Sequence, residues 1–145
     1  MKKHPSIPDH AVDILLDFCK DMKAEPRKLR MENWMEDITG AEDIKEKDRP
    51  PCNTVMCIAG GIALKTCSTK NLLGMAWYEI PDLAAETLGM EYNKDTRYEI
   101  GNLWNLFIPE YWPFKYRELY EKAKSQSQRV RVMTWRVKYF IEKGY

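Results

Sequence analysis

The sequence predicts an all-α, or nearly all-α, single domain of 145 residues, with five to seven helices around a central helix that contains glycine. Three observations predict this class. Apolar residues recur every three or four positions in several segments, which is the period of one helix face. Proline and glycine stand at the ends of those segments, where helices begin and end. The chain is 44% hydrophobic and long enough to bury a core as one domain.

A first helix is expected near residue 8. Ser6 and Asp9 stand three residues apart, like a capping box, and Pro8 stands just inside the helix start. Pro26 ends the run. Cys19 lies on the apolar face, so we interpret it as an inert core thiol. The apolar face at helical spacing consists of Val12, Leu15, Leu16, Phe18, Cys19 and Met22.

The next two segments are less regular. Around Leu29, Met31 and Trp34 the apolar residues follow no period that decides between a helix and a strand. The stretch 39–51 is charged and ends in two prolines, which is typical of an exposed loop.

A second helix is expected over about residues 55–66, with Thr54 as its N-cap. Gly60 and Gly61 lie inside it, and each costs about 1 kcal/mol relative to alanine. The usual reason for such a glycine is the close approach of a neighbouring element. We therefore expect this helix to be central and packed on more than one side.

Four further helices are expected in the second half of the chain. One has Pro81 in its first turn and stops at Gly89. The others begin near Asp95, near Pro113 and after Ser127. Their expected inward residues are Ile100, Leu103, Trp104 and Phe107, then Phe114, Leu119 and Tyr120, then Val130, Met133, Val137, Phe140 and Ile141.

More than half of the chain, residues 29–113, resembles a known pattern. Met31-x-x-Trp34, a variable loop, and then Cys52-Asn53-Thr54-x-x-Cys57-Ile58-Ala59-Gly60 are similar to the motif of a family of small phage and bacterial proteins. That family has roughly Cys-Gly-Thr-x-x-Cys-x-Ala-Gly in the second part. Asn53 stands in place of the usual glycine, and asparagine also tolerates left-handed backbone. Gly61 stands where an aromatic residue or histidine is common. The resemblance implies a fold unit and a phage-related setting, and it implies no activity.

Three of the four cysteines lie within residues 50–67, and four interpretations stay open for them. A structural metal site takes four close Cys or His ligands, whereas the only histidines are at positions 4 and 10. A catalytic Cys57 would gain from the helix dipole, which lowers its pKa, and would need His10 as a base. A Cys52–Cys57 disulfide is geometrically feasible. We favour an architectural role, in which small residues let the glycine helix enter a dense core, with no metal and no cofactor.

The C-terminal residues 114–145 are basic in a chain whose net charge is only +1. They contain nine Lys or Arg and three Glu. Basic residues supply phosphate contacts and aromatic rings stack on bases, although a solvated pair of helices has the same composition. Eight of these basic residues are interleaved with aromatic ones: Lys115, Arg117, Lys122, Lys124, Arg129, Arg131, Arg136 and Lys138, with Tyr116, Tyr120, Trp135 and Tyr139.

These features favour a non-enzymatic binding protein, because the chain lacks a convincing catalytic set. We expect a protein partner, contacted by the aromatic stretch 106–112, with Tyr111 and Trp112, and by the basic C-terminal residues. In the phage-related setting the partner would be a host protein or complex, for instance of a defence system. The alternatives are a nucleic-acid-binding protein using the C-terminal helices and a thiol enzyme using Cys57.

The sequence also predicts a cytoplasmic location, which is the host cytoplasm for a phage protein. No apolar run approaches the roughly 18 residues that a bilayer-spanning helix needs. The first ten residues lack the apolar core and cleavage site of a signal peptide. We therefore expect no membrane partner.

Overall fold

The computed structural model describes residues 1–90 and 102–145, and this part of the chain is nearly all-α, as the sequence predicts. Its helices are α1 (Asp9–Ala24), α2 (Ile58–Ala63), α3 (Thr69–Leu73), α4 (Glu79–Leu88), α5 (Asn102–Phe107), α6 (Phe114–Lys122) and α7 (Gln126–Lys143). Two strands, β1 (Met35–Asp37) and β2 (Thr54–Met56), form an antiparallel pair. Single 3-10 turns cover Pro26–Lys28, Glu46–Asp48 and Pro109–Tyr111. No helix of the described residues is long and apolar enough to cross a bilayer.

Helix α2 is the centre of the core, which confirms the prediction of a central glycine-containing helix. All of its residues are buried, and it packs against α1, α4, α5 and β2. Around it, α1 packs along α7, and α6 forms a hairpin with α7. A helix with no exposed face must be apolar or small on every side, and the sequence IAGGIA meets that condition.

The two glycines of α2 are each required by a close neighbour. A Cβ atom at Gly60 would lie 1.8 Å from the backbone oxygen of Trp34, and one at Gly61 would lie 2.1 Å from the Phe18 ring. Atoms in ordinary contact are much farther apart, so any side chain at either position would displace its neighbour. The close approach that the sequence predicts for these glycines is confirmed.

The predicted start of this central helix is wrong. Residues 54–56 form β2, which pairs with β1 in the register Met35–Met56, and helical geometry begins only at Ile58. Thr54 does not cap the helix, and its hydroxyl instead donates to the Cys52 carbonyl oxygen at 3.4 Å. Cys57, with extended backbone, occupies the N-cap position. A strand forms because pairing with β1 supplies the backbone hydrogen bonds that a helix would otherwise have supplied.

Helix α1 begins at Asp9, two residues later than a capping box with Ser6 as its N-cap would place it. Pro8 holds the N-cap position, and no side chain caps the helix. The Ser6 hydroxyl is 2.7 Å from Nδ1 of His4 and is therefore engaged outside the helix. The apolar face is confirmed, with Ala11, Leu15, Phe18, Cys19 and Met22 buried.

The second half follows the predicted order of helices. Gly89 ends α4 with a left-handed φ of 64°, as expected. The helix start near Asp95, together with Ile100, lies outside the described residues, and α5 places Leu103 and Phe107 in the core. The buried stripe of α7 consists of Val130, Val132, Met133, Arg136, Val137, Phe140 and Ile141.

Two of the three inward residues predicted for α6 are wrong. Phe114 is 66% exposed and Leu119 is 38% exposed, whereas Tyr120 packs against the core. Helix α6 packs on the core through Tyr116 and Tyr120, which stand four residues apart on one face. Phe114 and Leu119 lie off that face, so they stay in contact with solvent.

The stretch 39–51 is a largely exposed loop, as predicted. The Arg49 guanidinium crosses it, donating from Nη1 to the Ile38 carbonyl oxygen at 2.7 Å and from Nη2 to the Ala41 carbonyl oxygen. These bonds hold the start of the loop against the end of β1.

Candidate binding surface

Within the Met31-to-Gly60 motif, Cys57 and Gly60 pack around the backbone oxygen of Trp34. This oxygen accepts the Cys57 amide at 3.3 Å and the Cys57 thiol at 3.6 Å, and Gly60 leaves room for it. Met31 is buried nearby. The motif residues therefore join the segment before β1 to the start of α2, which is architecture rather than a reactive arrangement.

Asn53 supports this unit by its backbone. Its φ is 52°, in the left-handed region, and no other non-glycine residue of the described chain has a positive φ. Asparagine tolerates this conformation better than other residues with a Cβ, which explains why it can stand at this position.

Cys57 is fully buried, and its thiol has a raised pKa. Amides at the start of α2 lower the pKa of its thiol, as the helix-dipole argument expects, but burial has the larger effect and raises the pKa to about 12. The expectation of a lowered pKa is thus wrong, because the site excludes water. Cys52 is an exposed free thiol, so the two cysteines form no disulfide. The described residues contain no group of three or more potential metal ligands.

We predict that the buried thiols make stability fall in mild alkali. Burial raises the pKa of Cys57 to about 12 and that of Cys19 to about 11, from an ordinary value of 9.0. Above about pH 9 the unfolded chain loses these protons before the folded chain does, so the free energy of unfolding decreases as pH rises, by about 1 kcal/mol per pH unit for each thiol. Urea unfolding between about pH 8 and about pH 10 measures the slope.

The matched variants for this slope are Cys57→Ala and Cys52→Ser. The first should reduce the slope by about half, because the buried Cys19 still contributes, whereas the second removes an exposed thiol and should leave the slope unchanged. An unchanged slope in Cys57→Ala would show that Cys57 ionises equally easily in both states.

Two residues predicted to contact a partner are buried. Trp112 is 3% exposed, and its indole nitrogen donates to the Leu106 carbonyl oxygen at 2.8 Å. Arg136 is fully buried and donates to the backbone oxygens of Asn105 at 2.7 Å and Tyr145 at 3.0 Å. Burial lowers the pKa of Arg136 to about 10. Both predictions of surface contact are corrected, because Arg136 holds α5 and the C-terminal turn against α7 and the Trp112 indole bonds to the backbone of α5.

The remaining predicted residues are divided among separate regions. Tyr111 is 61% exposed, Arg117 donates to the Glu110 carbonyl oxygen at 3.3 Å, and Lys122 is ion-paired with Glu118 at 2.7 Å. Lys124 and Arg129 line a groove of about 490 Å³ beside the 39–51 loop. The charged residues of that groove have mixed sign: Arg27, Arg30, Lys47, Lys124 and Arg129 with Glu32, Asp43 and Asp48.

Arg131 and Trp135 lie together on the exposed side of α7, between two further grooves. The groove toward the end of α1 has a volume of about 430 Å³ and that toward α6 about 480 Å³. Trp135 and Lys138 line both, so they form the ridge between them. Trp135 is 47% exposed. We use the name Trp135 surface for the region formed by Lys23, Lys115, Arg131, Trp135 and Lys138.

The Trp135 surface is cationic, and one of its charges, the Lys115 amine, lies over the Tyr116 ring at 5.8 Å from the ring centroid. Lys23, Lys115, Arg131 and Lys138 form no ion pair with any residue in 1–90 or 102–145. Among the residues that the structure describes, Glu142 is the only acid lining either groove, and it lies 3.1 Å from Lys143. A half-exposed indole surrounded by free cations can bind a ligand that has both negative charge and an apolar group.

Sequence reasoning missed Lys23 and Pro26, which line the groove toward the end of α1 on the side opposite α7. They lie about a hundred residues before Trp135, and only the packing of α1 along α7 brings them together. The chain around each of them carries no signal of this contact.

No protein-family model, curated protein or solved structure matches this chain. The fold and the surface define the class of protein: a nearly all-α chain with a cationic surface centred on the exposed Trp135.

Proposed function

We propose that this chain is a non-enzymatic binding protein that docks on a protein target through the Trp135 surface. The observation that carries the proposal is the half-exposed Trp135 between four cations that lack ion-pair partners in the described chain. Tryptophan and arginine are the residues that most often dominate binding energy at protein interfaces. Free cations around them accelerate the approach of an acidic partner and select for it.

The state of the cysteines supports binding over thiol catalysis. A nucleophilic cysteine needs access to substrate and a lowered pKa, whereas Cys57 is fully buried with its pKa raised to about 12. His10, the candidate base, packs against Gly89 at the end of α4. The fully buried Cys57 thiol therefore lacks the access to substrate that nucleophilic catalysis requires.

The resemblance of the Met31-to-Gly60 motif to small phage and bacterial proteins supports an accessory role inside a host cell. In that setting the target is a host protein or complex in the cytoplasm, and a component of a defence system that the protein inhibits is one such target. The basic surface favours an acidic face on that target.

A second candidate function is nucleic-acid binding, favoured by the exposed ring of Trp135 beside Arg131 and Lys138. A stacked base and two phosphates would suit these groups. Two observations weigh against this candidate. Tyr116, Tyr120 and Tyr139 are engaged in ring pairs within the protein, and Arg136 is buried. Single-strand binders usually offer several free rings in a row, whereas these grooves offer one.

The experiment is affinity capture from lysate of the source cell, with and without nuclease, using the tagged chain and two tryptophan variants. We predict that wild type retains a stoichiometric protein after nuclease treatment and that Trp135→Ala loses it. Trp77→Ala is the matched control, because Trp77 is 57% exposed and lines neither groove. Truncating a tryptophan at an interface centre typically weakens binding by about 2 kcal/mol or more.

Three results would contradict the proposal. Capture that survives Trp135→Ala would place the contact elsewhere on the protein. Capture that nuclease abolishes would favour the nucleic-acid candidate. Loss of capture in Trp77→Ala and Trp135→Ala alike would indicate a contact that is not specific to the Trp135 surface.

A further inference from the structure

We propose that the partner presents to the Trp135 surface an acidic peptide segment with one apolar side chain, which inserts into the groove between α1 and α7. This inference rests on the proposed function and names the chemistry of the partner at that same site. The groove combines an apolar floor with cations on both sides, and an acidic segment with an apolar anchor complements both features.

The charge of the groove selects an anion. Its ionisable lining residues are Lys23, Arg131 and Lys138, all of them cationic. Lys23 is in the last turn of α1, and the other two are on α7, so the positive charges stand on opposite walls. A segment lying in the groove would therefore place carboxylates on both sides of its centre, within reach of Lys or Arg.

The floor of the groove selects an apolar side chain. Pro26, Val130 and Trp135 supply its apolar lining, and its uncharged polar lining residues are Ser127 and Thr134. The volume of about 430 Å³ is within the range of sites that enclose a small ligand, so one side chain of the size of leucine fits. Burying such a side chain removes apolar surface from water and so adds affinity that the cations alone would not supply.

The arrangement on α7 extends the same recognition along the helix. Arg131, Trp135 and Lys138 stand at i, i+4 and i+7, which places them on one exposed stripe. Lys115 lines the groove toward α6, on the other side of the ridge that Trp135 and Lys138 form. The cations thus run along both sides of the indole, and a segment following the stripe meets positive charge before and after the apolar anchor.

A peptide fits the surface better than a nucleic acid of equal charge. In the groove toward α6, the Tyr116 and Tyr139 rings pack on each other with their centroids 5.4 Å apart. The Tyr139 hydroxyl is also 3.1 Å from the Tyr145 hydroxyl. These rings are held within the protein and present no row of stacking faces. One free indole over an apolar floor suits a single aliphatic anchor.

The test is fluorescence anisotropy of the full chain with three defined probes. These are a fluorescein-labelled peptide of Asp and Glu with one central Leu, the same peptide with a central Ser, and an oligothymidylate of equal charge. We expect the Leu peptide to bind most tightly, with affinity that falls as salt is added. Arg131→Glu should weaken it by about tenfold or more, since it replaces an attractive charge by a repulsive one.

The matched control is Lys70→Glu, an exposed residue of α3 with a charge change of the same sign and size. It should leave affinity for the Leu peptide within about twofold of wild type, because distant exposed charges are screened. Circular dichroism of both variants checks that they fold. Equal binding of the Leu and Ser peptides, equal loss in Arg131→Glu and Lys70→Glu, or tighter binding of the oligothymidylate would each overturn the inference.

The inference and the proposed function can fail separately. A captured protein that depends on Trp135, together with peptide binding that ignores Arg131, would overturn the acidic segment and leave protein docking in place. Capture that does not depend on Trp135 would overturn the docking proposal itself, and with it the assignment of an acidic segment to this groove.

Discussion

Gly60→Ala is expected to destabilise the protein by more than about 3 kcal/mol, the largest effect of any single methyl group in the described chain. The added Cβ would lie 1.8 Å from the backbone oxygen of Trp34. That oxygen cannot move away cheaply, because it accepts both the amide and the thiol of Cys57. Alanine gains about 1 kcal/mol in helix propensity over glycine, which is too little to compensate.

The measurement is urea unfolding of Gly60→Ala beside Gly74→Ala. Gly74 has φ −86° and its added Cβ would come no closer than 3.6 Å to any atom outside its own neighbours. Alanine there should change stability by no more than about 1 kcal/mol, with a gain favoured. A Gly60→Ala protein as stable as wild type would mean that the segment before β1 does not press on α2 as described.

Arg136→Ala is expected to have the next largest effect, a loss of about 3 kcal/mol in the free energy of unfolding. The side chain is fully buried, and its two terminal nitrogens satisfy the backbone oxygens of Asn105 and Tyr145. Its removal leaves those oxygens without donors and opens a cavity beside Phe140, whose ring lies 6.0 Å from the guanidinium. The substitution also removes the desolvation cost of the buried guanidinium, but this gain offsets only part of the loss.

Two further variants separate the causes of that loss, again by urea unfolding. Arg136→Met fills most of the space without donating, so its loss should be smaller than that of Arg136→Ala. Lys138→Ala, exposed on the same helix, should stay within about 0.5 kcal/mol of wild type. An Arg136→Ala protein that unfolds like Lys138→Ala would show that the guanidinium holds nothing together.

The parts of the fold that local sequence patterns determine could be predicted. The apolar stripes of α1 and α7 recur at helical spacing, and Gly89 ends α4 with the left-handed backbone that glycine favours. The adjacent glycines of α2 predict close packing from the sequence alone, without indicating which residues pack against them. Each of these signals is contained within a few turns of chain.

The strand pair could not be predicted, because its cause is not local. Strands β1 and β2 are three residues each, too short to show an alternating pattern, and they are joined by a long charged loop. The apolar residues of 55–64 fit a helix equally well. Only the partner strand decides between the two, by supplying hydrogen bonds to residues 54–56.

Only part of the candidate site could be predicted, because the rest depends on contacts between distant segments of the chain. Arg131 and Trp135 stand out in a basic, aromatic segment, but nothing in the local sequence distinguishes Arg136 from them. Its burial depends on backbone oxygens of α5 and of the C-terminal turn. The far wall of the groove, Lys23 and Pro26, comes from the packing of α1 along α7.

Hydroxyl-radical footprinting of the captured complex tests the central claim, docking through the Trp135 surface, most directly. Radical oxidation followed by mass spectrometry reports the solvent exposure of each tryptophan separately. Trp135 and Trp77 have similar exposure in the free protein, at 47% and 57%. The account predicts that partner binding protects Trp135 from oxidation and leaves Trp77 unchanged. Protection of Trp77 with Trp135 still oxidised at the rate of the free protein would contradict it.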